Sequence, residues 1–326
     1  MAKEEKEKKQ GIFKGVVVNG LVRALEEGGV TIDKVDKSFR NALDSLVEDF
    51  VADNDLRKEA VTEFVRQANI PQTLEIKKDG EIKKIDGLTH SQTGDLIKIV
   101  SADMAVMIVG IPGAGKTTAC EQVAEALEIP FHAMSVGMQT TKSDIMGFID
   151  ANGVYQASGF RKAFEGGGVF LMDEVDAGNP NVLVMVNSAI SNGFCEFGDK
   201  MVHRHKDFRF VATANTFGTG SDMQYVGRNK LDAATLDRFV VLNWKIDEVL
   251  EETIATNEGW LTKVRNLRDA VSDSSVSLLV TPRMAIQGSK LLELEFEEDD
   301  VIKMVAQKGS DDDTTKFINR NLHDEV

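Results

Sequence analysis

The stretch that most constrains this chain is residues 106–118, which read VMIVGIPGAGKTT. A short apolar run of Val106, Met107, Ile108 and Val109 ends in Gly110, Ile111, Pro112, Gly113, Ala114, Gly115, Lys116 and Thr117. A helix-forming sequence, TACEQVAEALEI, then begins at Thr118. Strand, glycine-rich loop and helix in that order make a phosphate cradle. The glycines let successive backbone N–H groups point inward, and the positive N-terminal end of the helix faces the same space. Lys116 is expected to reach the β- and γ-phosphate oxygens of a triphosphate, and the Thr117 hydroxyl to hold a Mg²⁺ ion.

A second fixed point is the apolar run Gly168, Val169, Phe170, Leu171 and Met172, which ends in Asp173 and Glu174 with Asp176 just beyond. Two carboxylates at the end of a buried strand are costly unless a cation or a proton-accepting role compensates. In a parallel sheet that end is where ligands bind. Asp173 is expected to hold the Mg²⁺ shell and Glu174 to polarise an attacking water. A further apolar strand, FRFVATANT at residues 208–216, carries a polar end at Thr213, Asn215 and Thr216. Asn215 is expected to orient a water near the γ-phosphate, because an amide both donates and accepts.

Composition narrows the surroundings. A chain of 326 residues predicts roughly two domains. The net charge of −15 disfavours general binding to a nucleic-acid backbone, although MVHRHK at residues 201–206 is a small positive island. No run of about 18 uncharged apolar residues appears, so no membrane span is expected. The opening MAKEEKEKKQ lacks the apolar core of a signal peptide. Cys120 and Cys195 have no paired spacing and fit a reducing compartment, so a cytoplasmic location is expected and Cys120 is read as packing. His203 and His205 would share one face of a strand, but no third metal ligand stands nearby.

Along the chain, residues 1–10 read as a frayed tail and 12–25 as ambiguous between helix and strand. Two helices are expected within residues 37–67, stopped before Pro71. They are either a packing layer or a partner-docking arm. Residues 73–85 alternate about Asp79 and Gly80 as a hairpin. Further hairpins are expected at 147–158, around Asn152 and Gly153, and near Gly198 and Asp199. A strand is predicted at 129–136 and a helix at 179–193. Residues 229–238 are expected to be helical and to lead into the strand FVVLNWKI. Helices then cover 249–254, 261–271, 282–294, 299–306 and 315–322, with Asp311, Asp312 and Asp313 in a solvated loop. The fold class is α/β: a parallel sheet flanked by helices, with inserted β-hairpins. Residues 1–70 form a helical arm, 71–246 the nucleotide-binding domain and 247–326 a helical lid.

Taken in this order, residues 85–294 resemble the AAA+ superfamily of ring-forming ATPases. The resemblance implies ATP and Mg²⁺ as cofactors, with Gly110 to Thr117 as the Walker A loop, flanked by Thr118, and Asp173 and Glu174 as Walker B. Asn215 matches the first sensor, and Arg283 in TPRMA matches the second sensor, supplied by the lid. Arg238, in LDRF, matches the arginine finger that serves a neighbouring subunit's nucleotide. A helix-end arginine opposing the dipole is the other reading of Arg238. Arg228, in VGRNK, is a second candidate finger. His90 stands where ring-shaped NTPases place adenine contacts, and a solvated loop histidine is the alternative.

Within the superfamily, RKAFEGGGVFLMDEVDAGNP, HKDFRFVATANTFG and NKLDAATLDRF resemble the MoxR branch, especially the small subunit of cobaltochelatase. In that branch inserted hairpins line a ring face or the pore. Compact relatives are also encoded by tailed phages, while the first 70 residues carry no motif of the family. The implied function is Mg²⁺-dependent ATP hydrolysis in a ring-shaped homo-oligomer, a hexamer. Such a ring would remodel a protein client or chelatase-like partner, with a von Willebrand factor A-type protein as adaptor. Two other classes compete. A nucleic-acid motor of the helicase-loader type is opposed by the acidic balance and favoured by His203, Arg204, His205 and Lys206. An assembly protein that binds ATP without turnover is opposed by Glu174 and Asn215.

Overall fold

In the computed structural model the described residues are 75–78, 81–85, 87–218, 220 and 227–323. The expected tail, the 12–25 segment, the helices within 37–67 and the Asp79–Gly80 turn lie outside them. The chain divides into two compact units, Met1–Pro71 and Gln72–Val326, and all described residues belong to the second.

Strands β1 (Glu75–Lys78) and β2 (Glu81–Lys84) pair antiparallel as the alternation predicts. Helix α1 (Thr93–Ser101) buries Leu96, Ile97 and Val100 along one face. Buried β3 (Val106–Val109) feeds the glycine-rich loop, and α2 (Lys116–Leu127) follows it. Next come β4 (Phe131–Ser135) and α3 (Lys142–Met146), which starts on a reciprocal cap between Thr141 and Asp144. The first inserted hairpin, β5 (Phe148–Ile149) and β6 (Tyr155–Gln156), leads to α4 (Gly159–Gly166) and β7 (Gly168–Asp173). After a 3₁₀ turn (Val175–Ala177), α5 (Pro180–Asn192) precedes a second hairpin of β8 (Phe194–Glu196) and β9 (Met201–His203). The core closes with β10 (Phe208–Ala214), α6 (Ala233–Leu236) and β11 (Val240–Asn243).

Five strands form a parallel sheet in the order β11-β3-β10-β7-β4. Parallel neighbours need crossover connections, which place helices on both faces. Along β3 the burial alternates between the two layers. Met107 and Val109 join Phe160, Phe164, Phe170, Phe208 and Phe210, whereas Val106 and Ile108 join Leu96, Val100, Cys120 and Val123. Phe164 meets Phe208, and Phe160 meets Phe170, edge to face. Cys120 is fully buried, and burial pushes its thiol pKa up, as packing requires. The register pairs Ala214 with Val109 and Ser135 with Asp173, so the loops after β3, β7 and β10 emerge at one edge.

The C-terminal helices are α7 (Glu248–Ile254), α8 (Glu258–Ser272), α9 (Pro282–Glu293), α10 (Glu298–Val301) and α11 (Asp312–Leu322). Helix α10 runs into a π-helical turn at Ile302–Ala306. They share a separate apolar cluster built on Trp260, Leu261, Val264, Met284, Ile302 and Ile318.

Two expectations are corrected here. The helix expected over residues 229–238 is only Ala233–Leu236. Asp232 caps its start by accepting from Thr235 N, and Asn229 N is spent on Asp176 O. The triplet Asp311, Asp312 and Asp313 is not a loop but the start of α11. Asp311 accepts from Thr314 N, and the other two carboxylates lie in the first turn, where the helix dipole favours them.

Helix α9 packs on α8 through Gly288, where a Cβ would come within 2.0 Å of Trp260 Nε1. Gly288→Ala is therefore expected to destabilise the C-terminal helices by about 1–3 kcal/mol through overpacking. Thermal unfolding followed by tryptophan fluorescence checks this, and an unchanged midpoint would refute the packing.

Candidate active site

The loop between β3 and α2 takes its shape from Gly113 and Gly115, at φ 80° and 81°, a region that side-chain-bearing residues enter only under strain. Trp244, just past β11, braces it from outside. Its indole N–H donates to Ala114 O at 2.7 Å and its backbone N–H to Val109 O at 2.7 Å. No motif marks this tryptophan. Its one sequence signal is a large aromatic at the end of the strand FVVLNWKI.

Lys116 is buried, and its three ammonium donors are all used: on Gly110 O at 2.5 Å, Ile111 O at 3.0 Å and Asn215 Oδ1 at 3.0 Å. Burial lowers its pKa to about 8. The carboxylates of Asp173, Asp176 and Glu174 oppose that shift and Arg283 adds to it. Asn215 thus sits beside the loop. Thr117 Oγ1 lies 3.4 Å from Asp173 Oδ2. Asp173 also accepts from Thr213 Oγ1, and from Glu174 N at 3.1 Å. A hydroxyl and a carboxylate are the hard oxygen donors Mg²⁺ takes, so Thr117 and Asp173 would be the residues to hold that ion. Among the described residues no group of three or more His, Cys, Asp or Glu that could hold a metal occurs.

These residues line a cavity of about 290 Å³ formed by Pro112, Gly113, Gly115, Lys116, Thr117, Thr118, Asp173, Glu174, Asn215 and Arg283. Arg283, at the start of α9, lies so close over Gly113 that a Cβ there would meet its Cγ at 2.6 Å. Beside the cavity is an apolar hollow of about 60 Å³, lined by His90, Gly113, Ala114, Leu250, Ile254, Pro282 and Ile286 among others.

His90 is not a solvated loop residue. It is buried, stacks on Trp244 with ring centroids 4.1 Å apart, lies 3.0 Å from Lys245 O through Nε2, and accepts from Gln92 N through Nδ1 at 3.1 Å. Because Nδ1 accepts, Nε2 carries the proton and donates, and burial lowers the pKa of the neutral ring. Both nitrogens are occupied, so His90 can offer a ligand only ring surface.

The two candidate fingers separate. Arg238 is exposed at the end of α6. There it donates to Ala234 O and, at 3.1 Å, to Ser191 Oγ, and it does not line the cavity. Arg228 instead lies 3.1 Å from Asp176 Oδ1 and 3.6 Å from Glu174 Oε2 of the same chain. In the positive island, Arg204 pairs with Asp103, and His205 Nδ1 accepts from Asp207 N at 3.1 Å. No helix among the described residues is long and apolar enough to cross a membrane.

Residues 105–239 match the AAA domain family, dynein-related subfamily. The chain is 30% identical over 149 residues to the aerobic cobaltochelatase subunit CobS of Sinorhizobium sp, covering 42% of this chain and 45% of that protein. It is 27% identical over 232 residues to the Lon protease of Metamycoplasma arthritidis, covering 64% of this chain and 26% of that one. The chain thus spans less than half the length of these curated relatives. Among solved structures, that of NtrX from Brucella abortus aligns over 86% of this chain and 63% of its own at 15% identity, with a TM-score of 0.49. The family match encloses Lys116, Thr117, Asp173, Glu174, Asn215 and Arg238, and leaves His90 and Arg283 outside it. Residues 105–239 therefore match an AAA domain of the dynein-related subfamily, and the chain is distantly related to CobS.

Proposed function

We propose that the chain hydrolyses ATP with Mg²⁺ in a ring of identical subunits, expected as a hexamer, and uses the resulting motion to remodel a protein client. The observation that carries this is the meeting of Lys116 and Asn215 at 3.0 Å in the cavity that also holds Thr117, Asp173, Glu174 and Arg283. In this reading the backbone of residues 110–117 cradles the phosphates. Lys116 exchanges its carbonyl partners for phosphate oxygens. Thr117 and Asp173 would hold Mg²⁺, which neutralises charge on the β- and γ-phosphates. Glu174 takes the proton of the attacking water, and Asn215 orients that water. Arg283 reaches the phosphates from a lid formed by residues 247–326, and the His90 ring packs against the nucleobase. Residues 71–246 would be the nucleotide-binding domain and 1–70 an arm.

Arg238, exposed and outside its own cavity, is assigned to the neighbour's site, which makes an oligomer necessary. The two inserted hairpins are the proposed client-contacting elements. They expose Phe148, Ile149 and Val154 on one and Phe194 and Met201 on the other. Arg161 braces the second hairpin to α4 through Asp199 at 2.8 Å. The name of the CobS relative supports a chelatase-like partner, and a von Willebrand factor A-type protein is the adaptor proposed. The nucleic-acid motor is the weaker reading, because Arg204 is already paired with Asp103 and the net charge is −15.

Three outcomes are expected. Glu174→Gln should retain ATP binding while kcat falls by about 100-fold or more; turnover at the unaltered rate would remove Glu174 from the chemistry. Lys116 gives a pH dependence whose sign is fixed. Its ammonium is depressed to about 8 in the free chain and favoured by bound phosphate, so binding takes up a proton. ATP affinity should be flat below about pH 7 and fall by up to about tenfold per unit above pH 8. Calorimetry in buffers of differing ionisation enthalpy reads both, and pH-independent affinity to pH 9.5 would contradict the burial argument. Finally, Arg238→Ala and Glu174→Gln chains, each inactive alone, should regain turnover when mixed, since mixed interfaces restore complete sites. Mixtures that stay inactive while forming rings would remove Arg238 from that role.

A further inference from the structure

Asp176 and Arg228 belong to no role assigned above, yet they form the most buried charged contact at the site. The Asp176 side chain has no solvent exposure. A carboxylate in that position is tolerated only when its lone pairs are filled. Oδ2 accepts from Asn215 N at 3.1 Å, Thr216 N at 3.0 Å and Thr216 Oγ1 at 3.0 Å, all on the turn that ends β10. Oδ1 faces Arg228 Nη1 at 3.1 Å, and Asp176 O accepts from Asn229 N at 2.6 Å. One aspartate thus grips Arg228 by its guanidinium and by the backbone of the residue after it.

That grip sets where the guanidinium goes. Its Nη1 stands 3.6 Å from Glu174 Oε2. The Glu174 backbone is pinned in the left-handed region at φ 58° by N–H bonds to Asp173 Oδ1 at 3.1 Å and Thr213 Oγ1 at 3.2 Å. The Glu174 side chain itself is half exposed. Arg228 therefore supplies a fixed positive charge against the exposed end of a residue whose main chain is already fixed.

We propose that Arg228 is a positioning residue acting within its own subunit: anchored by buried Asp176, it holds the Glu174 carboxylate in place and locks it to the Asn215 turn. The inference rests on the hydrolytic reading above and goes beyond it, because it removes Arg228 from service to a neighbour. A trans-acting finger needs a guanidinium free to cross an interface, and this one is spent in cis on two carboxylates.

The test uses full-length chains. Arg228→Ala is expected to lower kcat by about 10- to 100-fold, the scale of loss from a misplaced catalytic group, with KM for ATP changed less than about threefold. Arg228→Lys, which keeps the charge, should recover most of the rate. Mixed with Glu174→Gln chains, Arg228→Ala should regain no turnover, because each subunit then lacks a residue of its own site, in contrast to the Arg238→Ala mixture. Regained turnover in the Arg228 mixture overturns the proposal in favour of a trans role. Equal losses for Ala and Lys with a matching loss of ATP binding reduce Arg228 to a structural part. A measurement independent of turnover separates this from failure of the hydrolytic reading. In the nucleotide-free chain, Arg228→Ala and Asp176→Asn should each lower the melting temperature, and the double variant should lower it no further than the worse single one. Additive shifts overturn the anchor even if the chain hydrolyses ATP.

Discussion

An ammonium group has three donors and no acceptor, so burying one obliges the fold to bring three acceptors to a single point. Lys116 imposes that obligation here. Two of its acceptors, Gly110 O and Ile111 O, are local, but the third, Asn215 Oδ1, lies just past the end of a different strand, β10. It arrives only because β10 lies beside β3 in parallel with Ala214 opposite Val109. Shifting β10 by one residue would turn Asn215 to the other face of the sheet and leave the ammonium short of a partner. The order of strands is thus tied to the site by one hydrogen bond. The depressed pKa of Lys116 is the residual cost of the burial.

The outer wall of the loop follows the same logic with neutral groups. Trp244 reaches Val109 O and Ala114 O and stacks on His90, joining strand, loop and the segment before α1. Gln92 donates to Asn243 O at 2.9 Å and accepts from Lys245 N at 2.8 Å. Asp247 accepts from Ser91 N at 2.7 Å while capping α7 at Leu250 N. The chain is therefore clamped where it leaves the sheet for the C-terminal helices. From that clamp, the start of α9 delivers Arg283 over Gly113.

Much of this was legible because it is local. Alternation marked β1 and β2, uninterrupted apolar runs marked the buried strands, and Asn152–Gly153 marked a turn whose glycine is at φ 77°. A glycine-rich loop between strand and helix named its own chemistry. What stayed illegible depends on contacts far apart in the chain. Nothing near VGRNK says that Arg228 turns back 52 residues to Asp176, so Arg228 and Arg238 look alike as sequence. His90 reads as a loop histidine until Trp244, beyond β11, is seen to cover it. The shortened α6 has the same origin, since Asn229 N serves Asp176 rather than a helix.

Three carboxylates within four residues, Asp173, Glu174 and Asp176, are chemically near-identical, and burial alone gives them different work. Asp176 is sealed from water and filled by Arg228 and the Asn215–Thr216 turn, so it cannot exchange partners without disrupting β10. Asp173 is half buried, with one oxygen committed to Thr213 and the other near Thr117, which leaves that second oxygen open to a cation. Glu174 lines the same cavity as Asp173 but is the more exposed of the two, and its backbone is left-handed at φ 58°. For a residue with a side chain that conformation costs on the order of 1–2 kcal/mol. Two backbone hydrogen bonds and the Arg228 charge hold it there nonetheless. Glu128 and Glu295 enter the same region at φ 57° and 63°, so strain alone does not mark a reacting group; what supports the proposed role of Glu174 is where that backbone places its carboxylate, beside Asp173 and Asn215 in the cavity.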